Sequence, residues 1–210
     1  DALAQICDSD KIVRGANGSP AGCRTCPQGS AFQGQGGMGW QLKRAFAGHF
    51  TSASEENIIL SIRGCEPHSM NFGGSFVFLI QDGRANFRSY NSAVITERCH
   101  KLRFADGRDF LVCQDEWGAQ GYVTSSVYAV AFDRQGGSTT TQLFRTEDST
   151  LTCGEDVYGK PVGPVRSSKI KSVQFQEQEG SGLAGISLVV SLAHKDLTPA
   201  ERESCKQSSK

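Results

Sequence analysis

The side chains best suited to chemistry lie in short groups, most of them at the ends of apolar runs. Cys23-Arg24-Thr25-Cys26-Pro27 has the C-x2-C spacing that zinc knuckles and redox enzymes use. A zinc site needs a second Cys/His pair at comparable spacing, and a redox motif needs a strand that opens into a helix. This run lies in Gly-rich sequence and has neither, so its cysteines read as disulfide partners. Glu66-Pro67-His68 places a carboxylate and an imidazole just after Cys65, where a strand should end, a setting that suits acid–base or metal chemistry. The remaining imidazoles, His49, His100 and His194, show no H-x-H or H-E-x-x-H spacing, and neither a metal nor a cofactor is expected. Cys99 and His100 are adjacent, so on a strand they point to opposite faces and form no thiolate–imidazole pair. Asp115-Glu116-Trp117-Gly118 joins two carboxylates to an aromatic ring at a strand end. Sugar-binding sites combine an aromatic platform with such acceptors, and Trp40 offers a second platform. No nucleophile elbow and no phosphate loop occur.

Eight cysteines (Cys7, Cys23, Cys26, Cys65, Cys99, Cys113, Cys153 and Cys205) are spread along the 210 residues. Their even number and dispersal predict a disulfide framework formed outside the reducing cytosol, without fixing the pairing. The run Cys23-x-x-Cys26-Pro27-x-Gly29-x-x-Phe32 resembles a fragment of the small cysteine-rich repeats of extracellular receptors, a stretch too short to define a family. Ala2-Leu3-Ala4 has the small-x-small form of a signal-peptidase site. A secreted, periplasmic or cell-surface location is expected.

The elements that must position these groups are strands. Residues 57–63 alternate apolar and polar; residues 75–81 are apolar on both faces, as a central strand is. Asp82-Gly83 predicts a type I′ hairpin turn into 84–90. Asp106-Gly107-Arg108 predicts a second hairpin between 99–105 and 109–115, in a register that sets Cys99 one step from Cys113. Residues 121–133, 140–146, 169–177 and 183–193 complete the strands, the last two about Gly180-Ser181-Gly182. Residues 40–50 fit neither a helix nor a strand period cleanly. Thr198-Pro199-Ala200-Glu201 is a capping box that opens a helix over about 199–206, with Cys205 pinning it to the sheet. The expected fold is mainly β: an antiparallel β-sandwich or partly open barrel of about eight or nine strands, disulfide-reinforced, with a short C-terminal helix. Residues 1–39 should form an irregular, disulfide-tethered segment and residues 40–210 a single β domain.

With 22 basic and 22 acidic residues the chain lacks the cationic excess of a duplex binder, so no nucleic-acid partner is expected. No apolar run approaches the ~20 residues that span a bilayer. The leading expectation is an exported, non-enzymatic domain that recognises a carbohydrate or protein or serves a structural role, with Trp117, Asp115, Glu116 and Trp40 at the ligand site. The second is a hydrolase of an extracellular polymer that uses Glu66, His68, Asp115 and Glu116.

Overall fold

A computed structural model describes residues 2–33, 39–65, 73–92, 94–119, 121–155, 158, 160, 164–178 and 185–208. Twelve strands lie among them. They are β1 (Ile12–Arg14), β2 (Pro20–Cys23), β3 (Trp40–Ser52), β4 (Glu55–Gly64), β5 (Gly73–Gln81), β6 (Arg84–Ser92), β7 (Cys99–Arg103), β8 (Asp109–Ala119), β9 (Tyr122–Phe132), β10 (Ser138–Asp148), β11 (Arg166–Gln178) and β12 (Gly185–Asp196). One helix, α1 (Pro199–Ser208), follows. The strands form a six-stranded sheet in the order β1 to β6, a four-stranded sheet β10-β9-β8-β7 and the pair β11-β12. The protein is mainly β and antiparallel, with one sheet curled as a half barrel. Residues 40–50 resolve as strand: β3 pairs with β4 along most of its length, and that pairing outweighs its weak periodicity. The segment before residue 40 is not wholly irregular, because β1 and β2 pair and extend the sheet.

The chain divides into two compact units: Asp1–Cys113 with Tyr128–Thr141, and Gln114–Val127 with Gln142–Lys210. In the first unit β5 is buried on both faces, as its sequence predicts. Val77 joins Phe46, Phe50, Ile59, Leu111, Val130 and Phe132 in one core. Phe76 and Phe78, on the opposite face, pack with Trp40, Ile62, Leu3 and the cysteines of the N-terminal segment. That segment covers a sheet face that would otherwise lie in water. All eight cysteines are paired: Cys7–Cys23, Cys26–Cys65, Cys99–Cys113 and Cys153–Cys205.

The β7–β8 register differs from the sequence expectation by one residue. Phe104 N–H bonds Arg108 O, Gly107 N–H bonds Phe104 O, and Gly107 takes a φ of 85°. The loop is therefore a turn plus a left-handed glycine, one residue longer than a two-residue hairpin. Cys99 then faces Cys113 directly. Counting from the hydrogen-bonded 104/108 pair, 99/113 is a closer, non-hydrogen-bonded pair, with Cα atoms 4.0 Å apart.

Asp109, at the start of β8, is 2% exposed at its side chain and accepts hydrogen bonds from the Arg103 guanidinium and the His49 backbone N–H. Burial opposes its charge. Arg103, the His49 N–H and Lys101 outweigh burial and hold the carboxyl below the ordinary 3.8. A depressed carboxyl stabilises the fold above its unfolded pKa and loses that contribution as pH falls through the folded value. Asp109→Asn should therefore cost about 1–2 kcal/mol at neutral pH. It should also flatten the loss of stability below about pH 4, which urea titrations across pH would measure.

In the second unit, the end of β10 and the residue after it meet β11: Ser168 N–H bonds the Asp148 carboxylate at 3.0 Å, and Ser149 N–H bonds Arg166 O at 2.8 Å. Val165 and Ile170 are buried there, and so are Ser125 and Val127 of β9. The capping box at α1 forms as expected. Thr198 N–H and Oγ1 bond Glu201 Oε2, each at 2.9 Å, and Glu201 N–H bonds Thr198 Oγ1 at 3.3 Å. Cys205 is tied to Cys153, in the turn after β10, rather than to a sheet strand. Lys195 first, then the Thr198 backbone and hydroxyl, hold the Glu201 carboxyl down at about 2 from 4.5. The cap is complete above the unfolded value and fades as pH falls toward about 2, which an NMR titration of Glu201 would follow. Thr198→Ala should weaken the helix by about 1 kcal/mol, read as faster amide exchange in α1.

Candidate functional site

The β5–β6 hairpin builds an aromatic surface. Its turn has φ of 51° at Asp82 and 71° at Gly83, as a type I′ turn requires. From that turn the pairing runs Gln81↔Arg84 to Phe78↔Phe87, then slips to Val77↔Ser89 and Phe76↔Tyr90. Arg88 is the extra residue of a β-bulge. Phe87 and Tyr90 are three residues apart, so in a regular strand they would point to opposite faces. The bulge turns both to the side of Phe76. The Phe76 ring lies 6.1 Å from Phe87, edge to face, and 5.0 Å from Tyr90. Phe76 is fully buried, whereas Phe87 remains 39% exposed.

The N-terminal segment supplies the walls. A 3-10 turn, Ala2–Gln5, sets the Gln5 side chain against β6, the last strand of the sheet. Gln5 Nε2 donates to Ala85 O at 2.5 Å and Gln5 Oε1 accepts from Phe87 N–H at 2.8 Å. One side-chain amide thus takes the place of a neighbouring strand's peptide group on two backbone atoms of this edge. Cys7, bonded to Cys23, fixes the next stretch, and Cys26, bonded to Cys65, fixes the loop at 25–29. Between these walls and the rings lies a cleft of about 490 Å³, within the usual size of a small-molecule site. Phe76, Phe87 and Tyr90 line it, together with the polar Gln5, Asp8, Thr25, Gln28 and Ser89. Among the described residues, Asp8 is the only formally charged side chain that lines it. Aromatic faces beside amide, hydroxyl and carboxylate groups can stack a ligand ring and bond its edge.

Of the ligand-site residues expected from sequence, Trp40, Asp115, Glu116 and Trp117 do not line this cleft. Trp40 is 2% exposed and packs against Phe76 at 5.3 Å. Its ring belongs to the core and offers no platform, because the N-terminal segment covers that sheet face. Trp117 lies in the second unit, 40% exposed on β8. Glu116 beside it is exposed, with Ser125 Oγ 3.5 Å from its carboxylate, and Asp115 Oδ1 accepts the Glu116 N–H at 2.9 Å. Glu66 and His68 lie outside the described residues, as does the turn at 180–182. His49 Nδ1 is buried without a hydrogen-bond partner among the described residues, and His100 is exposed on β7. No described group of three or more His, Cys, Asp or Glu side chains is arranged to hold a metal ion.

Sequence reasoning missed Phe76, Phe87, Tyr90, Gln5 and Asp8. The available signal was the odd spacing of Phe87 and Tyr90: two aromatics that both need cover, placed where strict alternation would expose one.

The fold and the site define a disulfide-reinforced, antiparallel all-β protein with an aromatic cleft in its first unit. Four disulfides and no free cysteine fit a chain matured outside the reducing cytosol. No helix among the described residues is long and apolar enough to cross a membrane. No family model matches the sequence, and comparisons with curated proteins and with solved structures find no match either.

Proposed function

We propose that the chain is an exported, non-enzymatic recognition domain, acting in the periplasm, at a cell surface or outside the cell, and that it binds a carbohydrate in the cleft of the first unit. The observation that carries this reading is the β6 bulge, which aims Phe87 and Tyr90 into the same cleft. Bulges recur next to functional sites because they re-aim side chains at a cost in sheet pairing. The cleft is concave and small, which suits a sugar ring better than the broad surface of a protein partner. Its described polar lining joins neutral amides and hydroxyls to a single carboxylate, a set suited to hydroxyl recognition.

A glycan array probed with the wild type, Phe87→Ala and Trp117→Ala tests the proposal. A defined set of sugars should bind the wild type and Trp117→Ala, and Phe87→Ala should lose them. Loss in Trp117→Ala alone would move the site to the second unit. Identical, featureless profiles from all three would reject carbohydrate recognition.

A further inference from the structure

We infer that the sugar held in this cleft carries a free amino group, an ammonium seated between the Asp8 carboxylate and the exposed ring of Phe87. The inference rests on the carbohydrate reading above and adds the chemical class of the sugar. Its basis is the charge of the cleft. The chain has as many basic as acidic residues, yet among the described residues no Lys, Arg or His lines this surface and one Asp does. Asp8 is exposed, and its carboxylate has no hydrogen-bond or ion-pair partner among the described residues. The nearest basic residue in sequence, Lys11, bonds Asp10 at 2.9 Å instead.

An anionic sugar would therefore meet repulsion from Asp8, with no cation among the described lining residues to answer it. A neutral sugar would bring hydroxyls, which Gln28, Thr25 and Ser89 can serve, but it would leave the Asp8 charge partly desolvated and unpaired. An ammonium answers both features of the site. It forms a charge-assisted hydrogen bond with the carboxylate. It is also attracted to the face of an aromatic ring within about 6 Å of its centroid. Phe87, which lines the cleft, is 39% exposed and accessible to such a group.

Calorimetric titration of short glucosamine oligomers and their N-acetylated counterparts tests this. The proteins are the wild type, Asp8→Asn and Phe87→Ala, each checked by circular dichroism for the wild-type fold. The wild type should bind the free-amine oligomer about tenfold or more tightly than the acetylated one. Asp8→Asn should remove that preference and leave the acetylated oligomer unchanged, and added salt should weaken only the amine. Equal binding of both oligomers, unchanged in Asp8→Asn, would overturn the ammonium while sugar recognition stands. Failure of both oligomers, with a featureless array, would overturn both. Binding of an oligolysine peptide in preference to either oligomer, lost in Asp8→Asn, would assign the ammonium to a protein partner and overturn the sugar.

Discussion

Phe76→Ala should destabilise the first unit by about 3–5 kcal/mol. Phe76 is fully buried, and its ring meets four others: Trp40 at 5.3 Å, Tyr90 at 5.0 Å, Phe87 at 6.1 Å and Phe78 at 6.5 Å. Removing it loses the transfer energy of the ring and leaves a cavity under the cleft. The surrounding strands cannot close that cavity, because β5 is paired on both sides and packed on both faces. Phe87→Ala should cost far less, since that ring already lies partly in water. The two tryptophans lie in different units, so a Trp117→Phe background leaves Trp40 as the sole reporter of the first. Urea unfolding followed by Trp40 fluorescence measures the difference directly. A cost below about 1 kcal/mol for Phe76→Ala would contradict the packing described, being less than the transfer term alone.

The second large effect concerns the disulfide between Cys26 and Cys65. It closes a loop of 39 residues, for which the chain-entropy relation gives about 4 kcal/mol at 25 °C. The loss is also local. Cys65 holds a φ of 66° next to Gly64 at 112°, a left-handed corner at the end of β4, and a Cβ at Gly64 would come within 2.3 Å of Gly39 O. That corner brings Cys65 to Cys26, which lines the cleft. Cys26→Ser with Cys65→Ser should lower the unfolding midpoint of the first unit, speed amide exchange at 25–33 and abolish ligand binding. An unchanged midpoint with unchanged exchange would show that the N-terminal wall is held by packing alone.

The strands were legible because their signals are local. The apolar run of β5, the Asp82-Gly83 turn and the capping box at Thr198 each fix their element with nearby residues, and each forms as read. The β7–β8 register was readable only to within one residue, because Asp-Gly serves both a two-residue turn and a longer loop with a left-handed glycine. The site was not legible. Whether Phe87 and Tyr90 share a face depends on one inserted residue, Arg88, which the sequence does not mark. Gln5 meets β6 and Asp8 lines the cleft in a segment that two disulfides fold back, and cysteine spacing alone does not set their pairing. Trp40 and Trp117 look alike in sequence. Burial separates them, and burial at Trp40 comes from a segment whose composition gives little sign that it packs.

The most direct test maps ligand-induced amide shifts on the labelled protein, using the glycan with the strongest array signal. The cleft predicts shifts gathered on Gln5, Asp8, residues 25–29, Phe87 and Tyr90, abolished by Phe87→Ala and unaffected by Phe104→Ala, an equally exposed phenylalanine of the same unit outside the cleft. Shifts centred instead on Asp115, Glu116 and Trp117, or scattered without a cluster, would contradict it.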